Sequence, residues 1–173
     1  LMLARWAHEN GVEVHFAASN AGIQKSRADA YGFKTHPIYT IHENLFYERV
    51  NQCKFFYQVK ELQKYVEEEQ ALIFKIKPDL IVSDFRLTAA ISSALMGKPL
   101  LNLSNAYWCP NYQCSFPPPE YGVFNILPTN ATHFLFNFIR PFFFKTFGKE
   151  LNQTRELFGL KPKNDFRELY TEG

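Results

Sequence analysis

The chain has 173 residues, of which 46% are hydrophobic and 21% charged, a balance typical of a soluble globular protein with a sizeable core. A net charge of +2, with Lys and Arg scattered along the sequence, excludes the clustered basic face that nucleic-acid binding requires. Three cysteines (Cys53, Cys109 and Cys114) form no disulfide framework, and no leader or membrane-spanning run is visible. We therefore expect a reduced, cytoplasmic protein that binds no nucleic acid.

The first 40 residues alternate between helix and strand signals. Residues 1–10 resemble the interior of a helix that ends at Gly11, and residues 12–18 are rich in strand formers. A helix over 23–31 and an edge strand over 33–38 follow, the latter limited by a proline. Because the first helix lacks a cap, we expect that a segment ahead of it has been removed.

Residues 50–76 have helical periodicity, with the apolar stripe Phe55, Val59, Leu62, Val66 and Ile73. The acidic run at 67–69 is assigned to the solvated side of this helix. A strand over 79–83, a helix of small residues over 88–96 and a strand over 100–104 follow, and both strands lack alternation, which predicts burial on both faces. The order predicts an α/β fold with a doubly wound, mainly parallel sheet. We assign residues 1–173 to a single partial domain.

Asp84 follows the strand over 79–83, and ligands in open parallel sheets bind at the carboxyl ends of strands. The structural alternative is that Asp84 caps the next helix or accepts from turn amides. Arg86 pairs with Asp84, with a phosphate, or with a carboxylate near the sheet edge. Asn105, Tyr107 and Trp108 leave the next strand on the same side, so the two aromatic rings and Phe85 either stack on a bound acceptor or pack a long proline-rich loop.

Residues 132–147 contain seven phenylalanines, and Pro141 is expected to kink or divide their helix. The cluster consists of Phe134, Phe136, Phe138, Phe142, Phe143, Phe144 and Phe147. Three interpretations stay open: core packing, an apolar wall for an acceptor, or a surface on a membrane with Arg140 and Lys145 near lipid headgroups. Residues 129–173 are assigned to a helical tail leading towards an absent domain. Two thiols at Cys109 and Cys114, without a histidine at the usual spacing, do not make a metal site.

The chain resembles the amino-terminal half of a two-domain nucleotide-sugar glycosyltransferase of the GT-B fold and family 1. The residues that carry the resemblance are Leu3-Ala4-Arg5, His15-Phe16-Ala17, Pro78 through Arg86, Gly97-Lys98-Pro99, Asn105 through Trp108, Leu151 through Arg155 and Leu157 through Leu160. They cover nearly the whole chain.

The resemblance implies that a hexose moves from a nucleotide sugar to a hydroxyl of a small-molecule acceptor, with inversion and without a metal or other cofactor. In such enzymes a histidine takes the acceptor proton and a neighbouring carboxylate orients it, and Asp84 matches that carboxylate. It also implies that Phe85, Asn105, Tyr107 and Trp108 bind the acceptor, while an absent domain holds the nucleotide sugar.

Two departures from that family limit the expected activity. Compared with that family, the first strand of the fold and the base histidine that follows it are missing, and none of the five histidines takes the place of that base. No sugar-nucleotide domain follows within the 173 residues. We therefore expect the isolated chain to transfer no sugar. The alternative is a non-catalytic acceptor-binding or scaffolding subunit of a split, membrane-associated glycosyltransferase. A flavodoxin-like receiver or small-ligand domain is disfavoured, because no acidic cluster or phosphate loop is visible.

Overall fold

The computed structural model describes residues 1–19, 23–52, 54–112 and 128–171. The chain divides into two compact units, Leu1–Glu48 and Arg49–Gly173. One helix, α3 (Glu43–Asn51), runs across the boundary between them. Among the described residues each unit contains one pair of parallel strands, so the predicted α/β class is confirmed. The doubly wound sheet and the single-domain boundary stay predictions.

Unit 1 contains a short parallel β-ribbon with a helix between its strands. Its elements are α1 (Met2–Glu9), β1 (His15–Ala18), α2 (Ile23–Ala30) and β2 (Lys34–Pro37). Gly11 follows α1 with a φ of +81°, a conformation that favours glycine, as expected for a residue that ends a helix. Pro37 is the last residue of β2 and pairs with Ala18, which matches the predicted edge strand limited by a proline.

Unit 2 carries most of the helical structure and the second strand pair. Its elements are α4 (Val59–Ile76), β3 (Ile81–Asp84), α5 (Ala89–Met96), β4 (Leu100–Leu103), α6 (Thr129–Phe147), α7 (Lys149–Leu157) and α8 (Phe166–Thr171). The prediction of one long helix over 50–76 is therefore wrong in its first part, since α3 ends at Asn51 and α4 begins only at Val59. In α4, Glu61 accepts a hydrogen bond of 2.7 Å from the backbone N–H of Gln58, which stabilises the start of the helix.

Strands β3 and β4 pair in parallel, with α5 between them in the chain. Val82 and Asp84 of β3 stand opposite Leu101 and Leu103 of β4, so these four side chains share one face of the ribbon. All four are exposed. The prediction that both strands are buried on two faces is therefore wrong for the described residues. An apolar run without alternation shows that both faces of a strand are hydrophobic. It does not show whether other elements pack against both faces.

The core of unit 2 lies where α4, α5, α7 and α8 meet. Its buried members are Leu62, Val66, Leu87, Ile91, Leu151, Phe166 and Leu169. The helices after residue 128 therefore contribute directly to this core. Gly148, between α6 and α7, approaches α8 so closely that a Cβ there would lie 2.8 Å from Leu169 Cδ1.

Helix α6 runs through Pro141 without being divided, contrary to one form of the prediction. Of its phenylalanines, Phe144 and Phe147 pack against the core, whereas Phe134, Phe138 and Phe142 are exposed. The side chain of Phe143 lies outside the described residues. Across the described part of the chain, none of the helices has the length and apolar character needed to cross a bilayer.

Candidate functional site

Asp84 is the last residue of β3, and its side chain lies on the exposed face of the strand pair. Its register partner on β4 is Leu103. Among the described residues the Asp84 carboxylate forms no hydrogen bond or ion pair. The turn that follows is closed instead by Ser83, whose Oγ accepts from the Arg86 N–H at 3.2 Å. The structural alternative, in which Asp84 caps α5 or accepts from turn amides, finds no support in these contacts.

Phe85, the next residue, has a left-handed backbone with a φ of +51°. This conformation is unusual for a bulky residue and costs about 1–3 kcal/mol, so the surrounding structure must hold it in place. The Phe85 ring lies 5.9 Å from the ring of Trp108, measured between centroids, at an angle of 60°. The residue that follows Asp84 therefore belongs to an aromatic pair.

Arg86 turns towards α4 and does not pair with Asp84. Its Nε donates to Glu69 Oε1 at 2.6 Å, and its guanidinium lies 3.8 Å from the centroid of the Tyr65 ring. Of the three partners predicted for Arg86, the structure therefore shows the third, a carboxylate near the sheet, which belongs to Glu69.

Glu69 is only 7% exposed, so its assignment to the solvated side of α4 is wrong. In addition to Arg86, the hydroxyl groups of Thr88 and Ser92 donate to its carboxylate. Because all three donors belong to the turn after β3 or to α5, this carboxylate holds the Asp84 turn against α4. A buried carboxylate is tolerated only with such a set of partners.

The predicted residues after β4 lie in a short 3-10 turn, Ala106–Trp108, that begins after Asn105. Asn105 is exposed, and its carbonyl accepts from the Trp108 N–H at 2.9 Å. Trp108 is half-buried, with ring centroids 6.3 Å from Phe144 and 5.9 Å from Phe166. Trp108 therefore joins Phe85 to the core. The side chain of Tyr107 lies outside the described residues.

The structure thus pairs the Phe85 and Trp108 rings directly after Asp84 in the chain, and it places Asn105 just beyond the neighbouring strand. A cleft of about 520 Å³ elsewhere in unit 2, lined by residues between Arg49 and Val59 and between Thr146 and Gln153, contains none of them. Among the described residues no group of three or more His, Cys, Asp and Glu side chains could hold a metal ion. Cys109 is exposed and free, and Cys114 lies outside the described residues.

Sequence reasoning did not find a histidine pair in unit 1. His15 Nδ1 and His36 Nε2 lie 2.9 Å apart, and the two rings stack with centroids 5.1 Å apart. His15 Nε2 also lies 3.2 Å from Glu13 Oε1. Hydrogen bonds from Lys34 and then from His15 lower the pKa of Glu13. The sequence did contain a signal for this pair, because both histidines fall in predicted strands. Pairing those two strands with each other would have placed the histidines close together.

Comparisons with known proteins point to glycosyltransferases. The chain is 29% identical over 173 residues to the inactive PGL/p-HBAD biosynthesis glycosyltransferase of Mycobacterium bovis (strain BCG / Pasteur 1173P2), covering 99% of this chain and 47% of the relative. It has the same identity to the PGL/p-HBAD biosynthesis glycosyltransferase of Mycobacterium tuberculosis (strain ATCC 25177 / H37Ra), covering 40% of that protein. The PGL/p-HBAD biosynthesis rhamnosyltransferase of the same M. bovis strain is 31% identical over 172 residues, with 38% of its length covered.

No protein-family model matches the chain. The chain spans less than half the length of these curated relatives, although nearly all of the chain takes part in each alignment. The similarity therefore relates the chain to one portion of a glycosyltransferase. The finer assignment to the GT-B fold and to family 1 stays a prediction.

Proposed function

We propose that the chain is the acceptor-binding part of a glycosyltransferase that moves a hexose from a nucleotide sugar to a hydroxyl of a small-molecule acceptor. The observation that carries this proposal is the Asp84 carboxylate, which is exposed at the carboxyl end of β3 without a partner in the described residues. Ligands of open parallel sheets bind at this end of a strand. The similarity to curated glycosyltransferases over nearly the whole chain supports the same class of reaction.

In the proposed mechanism Asp84 orients a histidine contributed by a part of the protein outside these 173 residues. That imidazole accepts the proton of the acceptor hydroxyl, and the oxygen attacks the anomeric carbon of the sugar. The bond to the nucleotide breaks on the opposite side, the nucleoside diphosphate leaves with the bonding electrons, and the configuration inverts. Asp84 stabilises the imidazolium that forms. No metal or other cofactor takes part in this scheme.

Phe85 and Trp108 would contact the acceptor with their aromatic faces, and Asn105 and Tyr107 would complete that surface. The geometry that supports this is the direct contact of the Phe85 and Trp108 rings beside Asp84. Aromatic pairs of this kind bind flat or apolar molecules through their faces and edges.

The test is Asp84→Asn in the complete natural protein that contains these residues, assayed for sugar transfer. We expect turnover to fall by roughly two to four powers of ten, the loss that follows when an acid–base group loses its orienting carboxylate. Asp79→Asn is the matched control, because Asp79 is an exposed carboxylate just ahead of the same strand. Near-normal turnover of the Asp84 variant would overturn the proposal, and so would sugar transfer by the isolated chain.

A second candidate is a non-catalytic acceptor-binding or scaffolding subunit of a split glycosyltransferase. The observation that favours it is that one relative of the same identity is named inactive. In that case the complete natural protein would bind an acceptor yet transfer no sugar until a separate sugar-nucleotide protein is added. Sugar transfer by the complete natural protein, assayed alone and with an added sugar-nucleotide protein, separates the two candidates.

A further inference from the structure

Helix α6 presents a line of three exposed phenylalanines, which we call the Phe stripe: Phe134, Phe138 and Phe142. Their exposed fractions are 78%, 75% and 79%. Residues four apart on a helix lie above one another, so the three rings form one ridge. Three adjacent exposed rings make a contiguous apolar patch, and contiguous exposed apolar patches mark protein or membrane contacts.

The other side of α6 is anchored, which fixes the Phe stripe outward. Phe144 and Phe147 pack against the core of unit 2, and Phe144 also contacts Trp108 with ring centroids 6.3 Å apart. Thr132 is buried, and its hydroxyl donates to the carbonyl of Pro128 at 3.0 Å. The exposure of the stripe is therefore a property of a packed helix.

The charges on α6 are all positive. Its 19 residues include Arg140 and Lys145 and contain no Asp or Glu. Lys145 is exposed and stands three residues after Phe142, so it extends the same face of the helix. An apolar ridge that ends in a cation is complementary to a surface of apolar chains beneath anionic phosphates.

We propose that the Phe stripe attaches the chain to the surface of an anionic phospholipid membrane. The three rings enter the boundary between headgroups and acyl chains, and Lys145 lies at the level of the phosphates. The attachment is interfacial, since no described helix is suited to crossing a bilayer.

A lipid surface fits the stripe better than a second copy of the same chain does. The stripe is a convex ridge, and a fluid bilayer takes up a ridge without a matching groove. A second copy of this face offers Lys145 no acidic partner on α6: a parallel pairing brings the two Lys145 side chains together, and an antiparallel pairing lays each against the apolar Phe134 end of the other helix.

The test is sedimentation of the 173-residue chain with two kinds of vesicle, pure phosphatidylcholine and an equal mixture with phosphatidylglycerol. We expect binding to the mixed vesicles that is several-fold tighter than to the neutral ones and that weakens with added salt. The triple variant Phe134→Ser, Phe138→Ser and Phe142→Ser should lower partitioning by at least about a hundredfold. Lys145→Ala should lower it by about fivefold on the mixed vesicles alone.

Phe74→Ser is the matched control, because Phe74 is 70% exposed and belongs to a different helix, α4. This variant should bind as the wild type does, and circular dichroism checks that every variant is folded. Equal binding of the triple variant and the wild type would overturn the proposal, as would absence of binding to both vesicles. Self-association that depends on the stripe, without vesicle binding, would assign the face to a second copy.

The same measurement on the complete natural protein decides whether another segment covers the stripe. Loss of vesicle binding in that protein would overturn the proposal. The readout is membrane binding and not sugar transfer, so the result does not depend on the role assigned to Asp84. Failure of either proposal leaves the other standing.

Discussion

Glu69 connects the turn that carries Asp84 to the helix beneath it. It is 7% exposed and accepts hydrogen bonds from Arg86, Thr88 and Ser92. Glu69→Gln removes the charge that balances the Arg86 guanidinium and exchanges an acceptor for a donor. We expect the free energy of unfolding to fall by about 2–4 kcal/mol, measured by urea denaturation of the chain.

Glu67→Gln is the control for this prediction, because Glu67 belongs to the same acidic run and is exposed. It should change the stability by no more than about 0.5 kcal/mol. Equal effects of the two variants would mean that the contacts of Glu69 contribute nothing particular to stability.

The acidic run shows what the sequence could reveal at this scale. The apolar stripe of α4 steps from Val66 to Ile73, and position 69 falls on that stripe, between the two. A polar residue on a core stripe is a signal for a buried network, although its partners lie 17–23 residues further along and could not be read from the periodicity. The position of Asp84 at a strand end could be predicted because it depends on local sequence alone.

Phe85 provides a second prediction, on backbone strain. Its φ of +51° suits glycine, so Phe85→Gly should be more stable than Phe85→Ala by about 1 kcal/mol, both variants having lost the ring contact with Trp108. At Phe74, an exposed position inside α4, the order should reverse and alanine should be favoured by about the same amount. Urea denaturation of the four variants gives both differences, and the same sign at both positions would contradict a strained Phe85.

At the scale of elements, the start of α4 depends on one ion pair. Arg49 donates to both carboxylate oxygens of Glu61, at 2.5 and 2.9 Å, and both side chains are mostly buried. Burial opposes the charge on Glu61, but the hydrogen bonds from Arg49 and from the Gln58 N–H outweigh it, so the pKa of Glu61 is lowered. The folded state therefore binds the proton less readily than the unfolded state does.

The stability that this pair contributes is present above the unfolded pKa, about 4.3, and is lost as the pH falls through the lower folded value. We expect the wild type to lose more stability than Glu61→Gln between about pH 5 and pH 3. The measurement is the urea midpoint as a function of pH. Parallel curves for the two proteins would contradict the prediction, because they would mean that Glu61 has the same pKa in the folded and the unfolded state. The difference between the curves removes the contribution of Asp165, whose pKa is also lowered.

Element types were more predictable than their surroundings. The helix end at Gly11 followed from local chemistry, and Gly11 has a positive φ, as do Gly97 and Gly159 after α5 and α7. The exposure of Val82 and Leu101 did not follow, because an apolar strand has the same sequence whether or not a layer covers its second face. The split of the α6 phenylalanines into packed and exposed sets was likewise decided by tertiary contacts.

At the scale of the whole chain, the two units differ in how much apolar surface they bury. Unit 1 has only Ala28 and Phe33 as buried hydrophobic residues in its described part, whereas unit 2 has a cluster of seven. A small unit with so little buried area is marginally stable by itself. Unit 1 should therefore open more often than unit 2 in the native protein.

Hydrogen exchange of the native chain, followed by NMR, tests this difference with matched amides. The Ile38 N–H donates to the Ala18 carbonyl at 3.1 Å at the end of the β1–β2 pair, and the Ile81 N–H donates to the Pro99 carbonyl at 3.0 Å at the start of β3. Because these bonds have similar geometry, local hydrogen bonding alone predicts similar protection. We expect the Ile38 amide to exchange at least tenfold faster, since its bond breaks whenever unit 1 opens, and equal rates would show that the two units unfold as one.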